Sequence, residues 1–68
     1  MPHYHFDIQD GVGEIEDLGG MVLTDDAEAV AFAESVIRDL LRDNPRSYAR
    51  STMRVTQGER AVRTILLA

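Results

Sequence analysis

The first residues of the chain combine side chains that can do chemistry. His3, His5 and Asp7 alternate with bulky apolar residues in the opening MPHYHFDIQD. In an extended strand alternate side chains lie on one face, so these three side chains are expected to lie together. Imidazole and carboxylate groups bind zinc and related metals, but such a site needs three or four ligands, and the chain has only two histidines. The sequence leaves open whether His3 and His5 bind a metal; the simpler interpretation is the solvated or dimer-facing surface of an edge strand.

Pro2 offers a second chemistry. Removal of the initiator methionine exposes a secondary amine, which small tautomerases use as a general base after an apolar pocket has lowered its pKa. Those enzymes pass from the first strand almost directly into a helix, whereas residues 11–23 intervene here. They also place positive charge beside the proline, whereas the neighbouring segments here are acidic. A tautomerase-like enzyme with Pro2 as general base is therefore one alternative, and a proline that begins an edge strand is the simpler one.

The arginines suggest a third chemistry, the binding of nucleic acid. All seven lie in residues 38–68, whereas nine of the twelve acids lie in residues 1–37. Arg54 and Arg63 are expected on the two strands of a closing hairpin, where they could form a basic patch with arginines of the preceding helix. Against this, the net charge is −5 and the pI is about 4.7, which opposes non-specific attraction to phosphate. A nucleic-acid-binding regulator is thus the second alternative.

Other classes of site have no matching pattern. The acids of the first 17 residues lack the spacing of a calcium-binding helix–loop–helix. Cysteine is absent, which excludes disulfides, thiolate metal sites and a cysteine nucleophile. We find no serine–histidine–acid arrangement and no phosphate-binding glycine loop. The sequence therefore predicts no catalytic, cofactor-binding or metal-binding residue and no cofactor, and it favours a protein without enzymatic activity.

The first third of the chain is predicted to form strands. Alternating apolar residues over 3–8 predict a strand with one buried face. Turn residues at 10–13 lead to a short return strand whose buried anchor is Ile15. A second turn is predicted at residues 17–20, before a brief extended run at residues 21–23.

The middle of the chain is predicted to form one helix over about residues 25–43. Asp25 and Glu28 have the spacing of a capping box, and Pro45 prevents continuation at the other end. Apolar residues recur at helical spacing and predict one buried stripe. They are Ala29, Val30, Ala33, Val36, Ile37, Leu40 and Leu41.

The end of the chain is predicted to form a hairpin from residues 51–57 and 61–67. The last strand has apolar side chains on both faces, with Leu66 on one and Ile65 and Leu67 on the other. A strand that is apolar on both faces is usually covered on both. With one helix available, a second copy of the chain is expected to provide the other cover.

These elements predict an α+β fold, an antiparallel sheet in ββαββ order with one α-helix packed on one face, as a single domain over residues 1–68. We expect a homodimer, formed either side by side or by strand exchange through residues 44–50. No signal peptide or membrane-length apolar run is visible, so a cytoplasmic protein is expected. The predicted core consists of Tyr4, Phe6, Ile8, Ile15, Leu23, Val30, Ala33, Val36, Ile37, Leu40, Met53, Val55, Val62 and Leu66.

The chain resembles a family of short bacterial proteins that begin Met-Pro-x-Tyr-x-Phe. The residues that carry the resemblance are Tyr4, Phe6, Asp10, Gly11, Asp17, Gly20, Leu23, Asp26, Ala29, Ala33 and Gly58. The family is a domain of unknown function, so the resemblance implies a fold and a bacterial cytoplasmic setting and supplies no catalytic residue. Together with the expected dimer, it favours a non-enzymatic interaction or accessory module whose partner the sequence does not identify.

Overall fold

The computed structural model of the protein describes residues 2–67. It contains β1 (His3–Gln9), β2 (Ile15–Val22), α1 (Asp26–Asp43), β3 (Thr52–Gln57) and β4 (Arg60–Leu66). The strands form one antiparallel sheet in the order β2-β1-β3-β4. The predicted α+β fold with ββαββ order is confirmed. No helix within residues 2–67 has the length and apolar character needed to cross a membrane.

The helix has the predicted ends. The Asp25 side chain accepts a hydrogen bond from the Glu28 backbone N–H at 2.9 Å. The Glu28 carboxylate in turn accepts from the backbone N–H of Thr24 at 3.0 Å, one residue before the usual target in a capping box. At the other end the Asn44 N–H donates to the Leu40 carbonyl at 2.7 Å. Side chains thus satisfy backbone groups that the first turn leaves unpaired, which explains why α1 begins here.

The turn predicted at residues 17–20 is wrong, because β2 is a continuous strand of eight residues. The register against β1 shifts between Phe6 and Asp7, where Leu18 is an extra residue in β2. Gly19, next to it, has a φ of +93°, which glycine adopts without steric cost. A glycine that suggests a turn in the sequence therefore forms a β-bulge, which bends the strand without ending it.

The core lies between α1 and one face of the sheet. Buried apolar residues of β1 and β3 pack there with three residues of α1 and with one residue that follows each of the edge strands β2 and β4. They are Tyr4, Phe6, Ile8, Leu23, Ala29, Ala33, Ile37, Met53, Val55 and Leu67, with Phe32, Val36, Leu40, Leu41, Tyr48, Val62 and Ile65 partly buried against them. Most of the predicted core is confirmed.

Two residues of the predicted core are exposed, and a third, Val30, is only half-buried and lies outside the core cluster. Ile15 is 56% exposed and Leu66 is 65% exposed. Ile15 pairs with Gln9, and Leu66 pairs with Thr52, so both lie in one row on the face of the sheet opposite α1. Sequence analysis also missed Phe32, whose ring packs edge-to-face against Phe6 with centroids 5.2 Å apart.

A second β-bulge determines which side of β4 faces the core. The register between β3 and β4 shifts between Val55 and Thr56, because Val62 is an extra residue in β4. Val62 and Ile65 therefore both pack against the core although an odd number of positions separates them. Leu67 is fully buried as well. The expectation that a second copy must cover Ile65 and Leu67 is wrong, since one chain covers both.

The connection between α1 and β3 is bonded to the end of β4. The Arg50 N–H donates to the Leu67 carbonyl at 3.2 Å, and the Leu67 N–H donates to the Ser51 carbonyl at 2.8 Å. Within the connection the Ser51 N–H donates to the carbonyl of Tyr48 at 3.2 Å. These bonds tie the segment predicted as a route for strand exchange to the last residues of its own chain.

Candidate functional site

The face of the sheet that α1 does not cover, here called the open face, is the candidate functional site. The antiparallel register arranges its side chains in rows that cross all four strands. The first row is Ile15, Gln9, Thr52 and Leu66; the second is Asp17, Asp7, Arg54 and Thr64; the third is Gly20, His5, Thr56 and Ala61. Val22 and His3 lie beyond the third row. The open face is therefore apolar at three corners and charged in the middle.

An ion pair lies at the centre of the open face. Asp7 and Arg54 are direct partners across β1 and β3, and the Arg54 Nε donates to the Asp7 Oδ1 at 2.7 Å. The Asp7 side chain is 13% exposed and the Arg54 side chain is 41% exposed. The hydrogen bond to Asp7 raises the pKa of the Arg54 guanidinium. Because Asp7 is nearly buried, Arg54 supplies the partner that its carboxylate needs.

The histidines share the open face, as predicted, but they do not form a metal site with Asp7. β1 is a central strand between β2 and β3, so the expectation of an edge strand is wrong. The His5 Nε2 lies 2.9 Å from the Asp17 Oδ1, while Asp7 faces Arg54 instead. Within residues 2–67 no group of three or more histidine, aspartate or glutamate side chains is placed to hold a metal ion.

Gly20 makes room for the other histidine. A Cβ atom at this position would lie 2.5 Å from the His3 Nε2 and 3.2 Å from the Tyr4 carbonyl oxygen. The imidazole of His3 therefore lies across the backbone of β2 at one corner of the open face. Any side chain at position 20 would displace it.

Pro2 continues the pairing of the first hairpin. Its carbonyl accepts a hydrogen bond from the Leu23 N–H at 3.1 Å, and the residue is half-buried. Other residues line the three main clefts of the described chain. The tautomerase-like activity stays a hypothesis drawn from the sequence.

The arginines of the closing hairpin do not form the predicted basic patch. Arg54 lies on the open face, whereas Arg63 pairs with Val55 and lies on the side of the helix. Arg60 is bound to Asp26. The nucleic-acid hypothesis therefore loses the patch on which it depended, because the three arginines of the hairpin do not present their charge on one surface.

A second polar cluster joins β1, α1 and β4 at the start of the helix. The Tyr4 hydroxyl, on a side chain that is fully buried, donates to the Asp26 Oδ1 at 2.8 Å. Arg60 donates to both oxygens of Asp26, at 3.0 and 2.7 Å, and its Nε donates to the Gln57 Oε1 at 3.1 Å. The hydrogen bonds from Arg60 and then Tyr4 lower the pKa of Asp26 to about 2. Burial, followed by the bond to Asp26, raises the pKa of Tyr4.

Sequence analysis did not find this cluster. The sequence predicts Tyr4 as a core residue and assigns Asp26 no role beyond the resemblance to the family and a favourable position at the start of the helix. Arg60 is 34 positions from Asp26, and no local spacing connects them. Only the position of β4 beside the helix start brings the three side chains together.

The cluster gives a testable pH dependence. The folded-state pKa of Asp26, about 2, lies below its ordinary value of 3.8. Its ionised form therefore stabilises the fold fully above about 3.8, and this stabilisation is lost as the pH falls through about 2. We expect Asp26→Asn to melt below the wild type at neutral pH, and the difference in Tm to shrink across that acid range.

Circular dichroism melts at a series of pH values measure this difference. Glu59→Gln is the matched control, because Glu59 is exposed in the β3–β4 turn and should leave the acid dependence of the wild type unchanged. If the Tm difference for Asp26→Asn stays constant down to a pH of about 2, the hydrogen bonds from Arg60 and Tyr4 do not stabilise the ionised form of Asp26 as described.

Comparison with known families gives one match. A family model described as Domain of unknown function (DUF6894) matches residues 3–66, which covers all four strands and the helix. Among curated proteins and among solved structures, no match to the chain is found.

Proposed function

Starting from the fact that the chain belongs to the DUF6894 family of domains of unknown function, we propose that it is a bacterial, cytoplasmic interaction module without enzymatic activity, which forms a homodimer through its open face. The resemblance to short bacterial proteins supports the setting. The composition of the open face supports the mode of action.

The proposal rests on one observation: exposed apolar side chains surround charged side chains that are already paired within the chain. Ile15, Val22 and Leu66 are 56%, 52% and 65% exposed and lie at three corners of the open face. The central charges are paired within the chain, Asp7 with Arg54 and His5 with Asp17 if the histidine is protonated. Interface centres are depleted of unpaired charge and retain apolar anchors. A second open face can therefore cover the first without burying a charged side chain that has no partner.

The edges of the sheet are less suited to pairing with another copy. Both edge strands contain a β-bulge, at Leu18 in β2 and at Val62 in β4. β2 carries acids and β4 carries arginines, so two copies of the same edge would meet with like charge. Bulges and charges are the devices that protect sheet edges from pairing. These features favour face-to-face packing over a side-by-side dimer.

The size of the open face indicates a weak dimer. Four strands about 4.8 Å apart and about seven residues long span roughly 19 by 23 Å, or roughly 440 Å². A standard stable interface buries about 800 Å² per partner. We therefore expect a dissociation constant in the micromolar range, so the oligomeric state has to be measured up to high micromolar concentration.

Sedimentation velocity over a concentration series tests the proposal. We expect the wild type to shift from monomer to dimer, and Leu66→Arg to weaken the dimer by about ten-fold or more, because it buries an unpaired charge. Val12→Arg is the matched control: Val12 is 85% exposed in the β1–β2 turn, away from the open face, and its replacement should leave association unchanged. A wild type that stays monomeric, or equal effects of the two variants, would refute the proposal.

A further inference from the structure

An acidic cleft of about 190 Å³ lies between the β1–β2 hairpin and the connection after α1. Asp10, Glu14 and Glu16 lie on its hairpin side, and Tyr48 and Ser51 lie on the side of the connection. No arginine or histidine lines it. The lining of the cleft therefore combines three carboxylates with an aromatic residue and contains no cationic side chain.

The carboxylates are held in place and keep the capacity to accept further hydrogen bonds. The Asp10 Oδ1 accepts from the N–H groups of Val12 and Glu14 at 3.0 and 2.9 Å, which fixes the turn. The Tyr48 hydroxyl donates to both oxygens of Glu16, at 3.1 and 3.3 Å, and connects the two walls of the cleft. An ionised carboxylate has about four acceptor sites, so Glu16 can accept from a bound group as well.

A second observation, independent of the acids, points to a ligand. Ser51 is 1% exposed, and its Oγ is the buried side-chain polar atom within residues 2–67 that has no hydrogen-bond partner. A buried hydroxyl that has no hydrogen-bond partner destabilises the fold, and such groups are rare in native structures. Ser51 lines the same cleft, so a group bound there can supply the partner that the fold does not.

Tyr48 adds a neutral donor and an aromatic surface. Burial, and then the hydrogen bond to Glu16, raises the pKa of Tyr48, so its hydroxyl stays protonated at neutral pH. Aromatic faces attract cations that lie close to the ring. The chemistry of the cleft is thus that of a site for a positively charged group that can also donate hydrogen bonds.

We propose that this cleft binds an organic cation, an ammonium or guanidinium group, paired with Glu14 and Glu16 and donating a hydrogen bond to the Ser51 Oγ. The described residues offer no set of three metal ligands, and so the donor set favours an organic cation over a metal ion. The group can belong to a free amine or to an arginine side chain of another protein. This site goes beyond the proposed dimer and does not depend on it.

Titration of the ¹⁵N-labelled protein, followed by two-dimensional NMR at constant ionic strength, tests the site. The probes are spermidine and agmatine as free amines and a blocked tripeptide with a central arginine. We expect saturable shifts of the amides of Glu16, Tyr48 and Ser51. Tighter binding of the free amines identifies a metabolite-type ligand, and tighter binding of the tripeptide identifies a protein segment; each result supports the site. The absence of saturable shifts with all three probes would overturn it.

Variants that remove one negative charge distinguish binding in the cleft from attraction to the net negative charge of the protein. Glu16→Gln and Glu14→Gln should each weaken binding by about five-fold, the effect of losing one partly exposed ion pair. Glu59→Gln removes the same charge outside the cleft and should leave the affinity unchanged. Equal losses for Glu16→Gln and Glu59→Gln would show attraction to net charge alone and would overturn the proposal.

A further variant separates binding from folding. Ser51→Ala removes the hydroxyl that has no partner, and so it should preserve or raise Tm while it weakens binding. Unchanged affinity in this variant would overturn the proposal, because the bound group is proposed to donate a hydrogen bond to the Ser51 Oγ. Repeating the titration with Leu66→Arg distinguishes this proposal from the dimer, since a monomeric protein should bind the cation equally well.

Discussion

Phe6→Ala should lower the free energy of unfolding by about 3–5 kcal/mol, a large share of the stability of so small a protein. Phe6 is 3% exposed on a central strand of the sheet, and its ring packs edge-to-face on Phe32 at an interplanar angle of 61°. Truncating a buried phenylalanine costs about 3–5 kcal/mol, and the lost aromatic contact belongs to that cost. At about 0.05–0.15 kcal/mol per residue, a chain of 68 residues has only about 3–10 kcal/mol of stability.

Urea denaturation followed by circular dichroism measures the free energy of unfolding. Val12→Ala is the matched control, because Val12 is 85% exposed and its truncation should change the stability by less than about 0.5 kcal/mol. Phe32→Ala should be destabilising too, though less than Phe6→Ala because Phe32 is only partly buried. A Phe6→Ala protein that unfolds within about 0.5 kcal/mol of the wild type would place Phe6 outside the core.

The helix and the first strand could be predicted from the sequence because their signals are local. Asp25 and Glu28 cap the helix through bonds that span three or four positions. Tyr4, Phe6 and Ile8 alternate within one strand without interruption, and all three are buried as predicted. When the physical cause of an element lies within a few residues, a single sequence contains it.

The sides of β2 and β4 could not be predicted because β-bulges shift the alternation, whereas Met53 and Val55 of β3 face the core as predicted. Leu18 in β2 and Val62 in β4 are extra residues, and each reverses which side chains face the core beyond it. Nothing local distinguishes Gly19 in a bulge from a glycine in a turn. Ile15 was therefore assigned to the core although it is exposed.

The candidate site was only partly predictable for the same reason. The strand pattern placed His3, His5 and Asp7 on one face correctly, since alternation is local. Their partners depend on the register between strands: Arg54 is 47 positions from Asp7 and meets it only because β1 and β3 are neighbours. Strand alternation therefore identifies charged groups of the open face, but the pairing between Asp7 and Arg54 depends on contacts between strands that are distant in the sequence.

Leu66 is the last residue of β4, and Leu67 directly follows it. Replacing each of them by alanine, one at a time, should change the stability by very different amounts. Leu67 is fully buried, so Leu67→Ala should destabilise the protein by about 2–5 kcal/mol through lost burial and the cavity left behind. Leu66 is 65% exposed on the open face, so Leu66→Ala should change the stability of the monomer by less than about 0.5 kcal/mol. The two residues are adjacent and chemically identical, which makes each the control for the other.

Urea denaturation at a concentration well below the dissociation constant of the proposed dimer measures both values. The comparison is decisive because a shift of one residue in the register of β4 would exchange the two side chains between the faces. If Leu66→Ala proves as costly as Leu67→Ala, β4 has a different register from that described. Leu66 would then belong to the core and could not contribute to the proposed interface. The same measurement therefore tests both the register of β4 and the position of Leu66 on the open face.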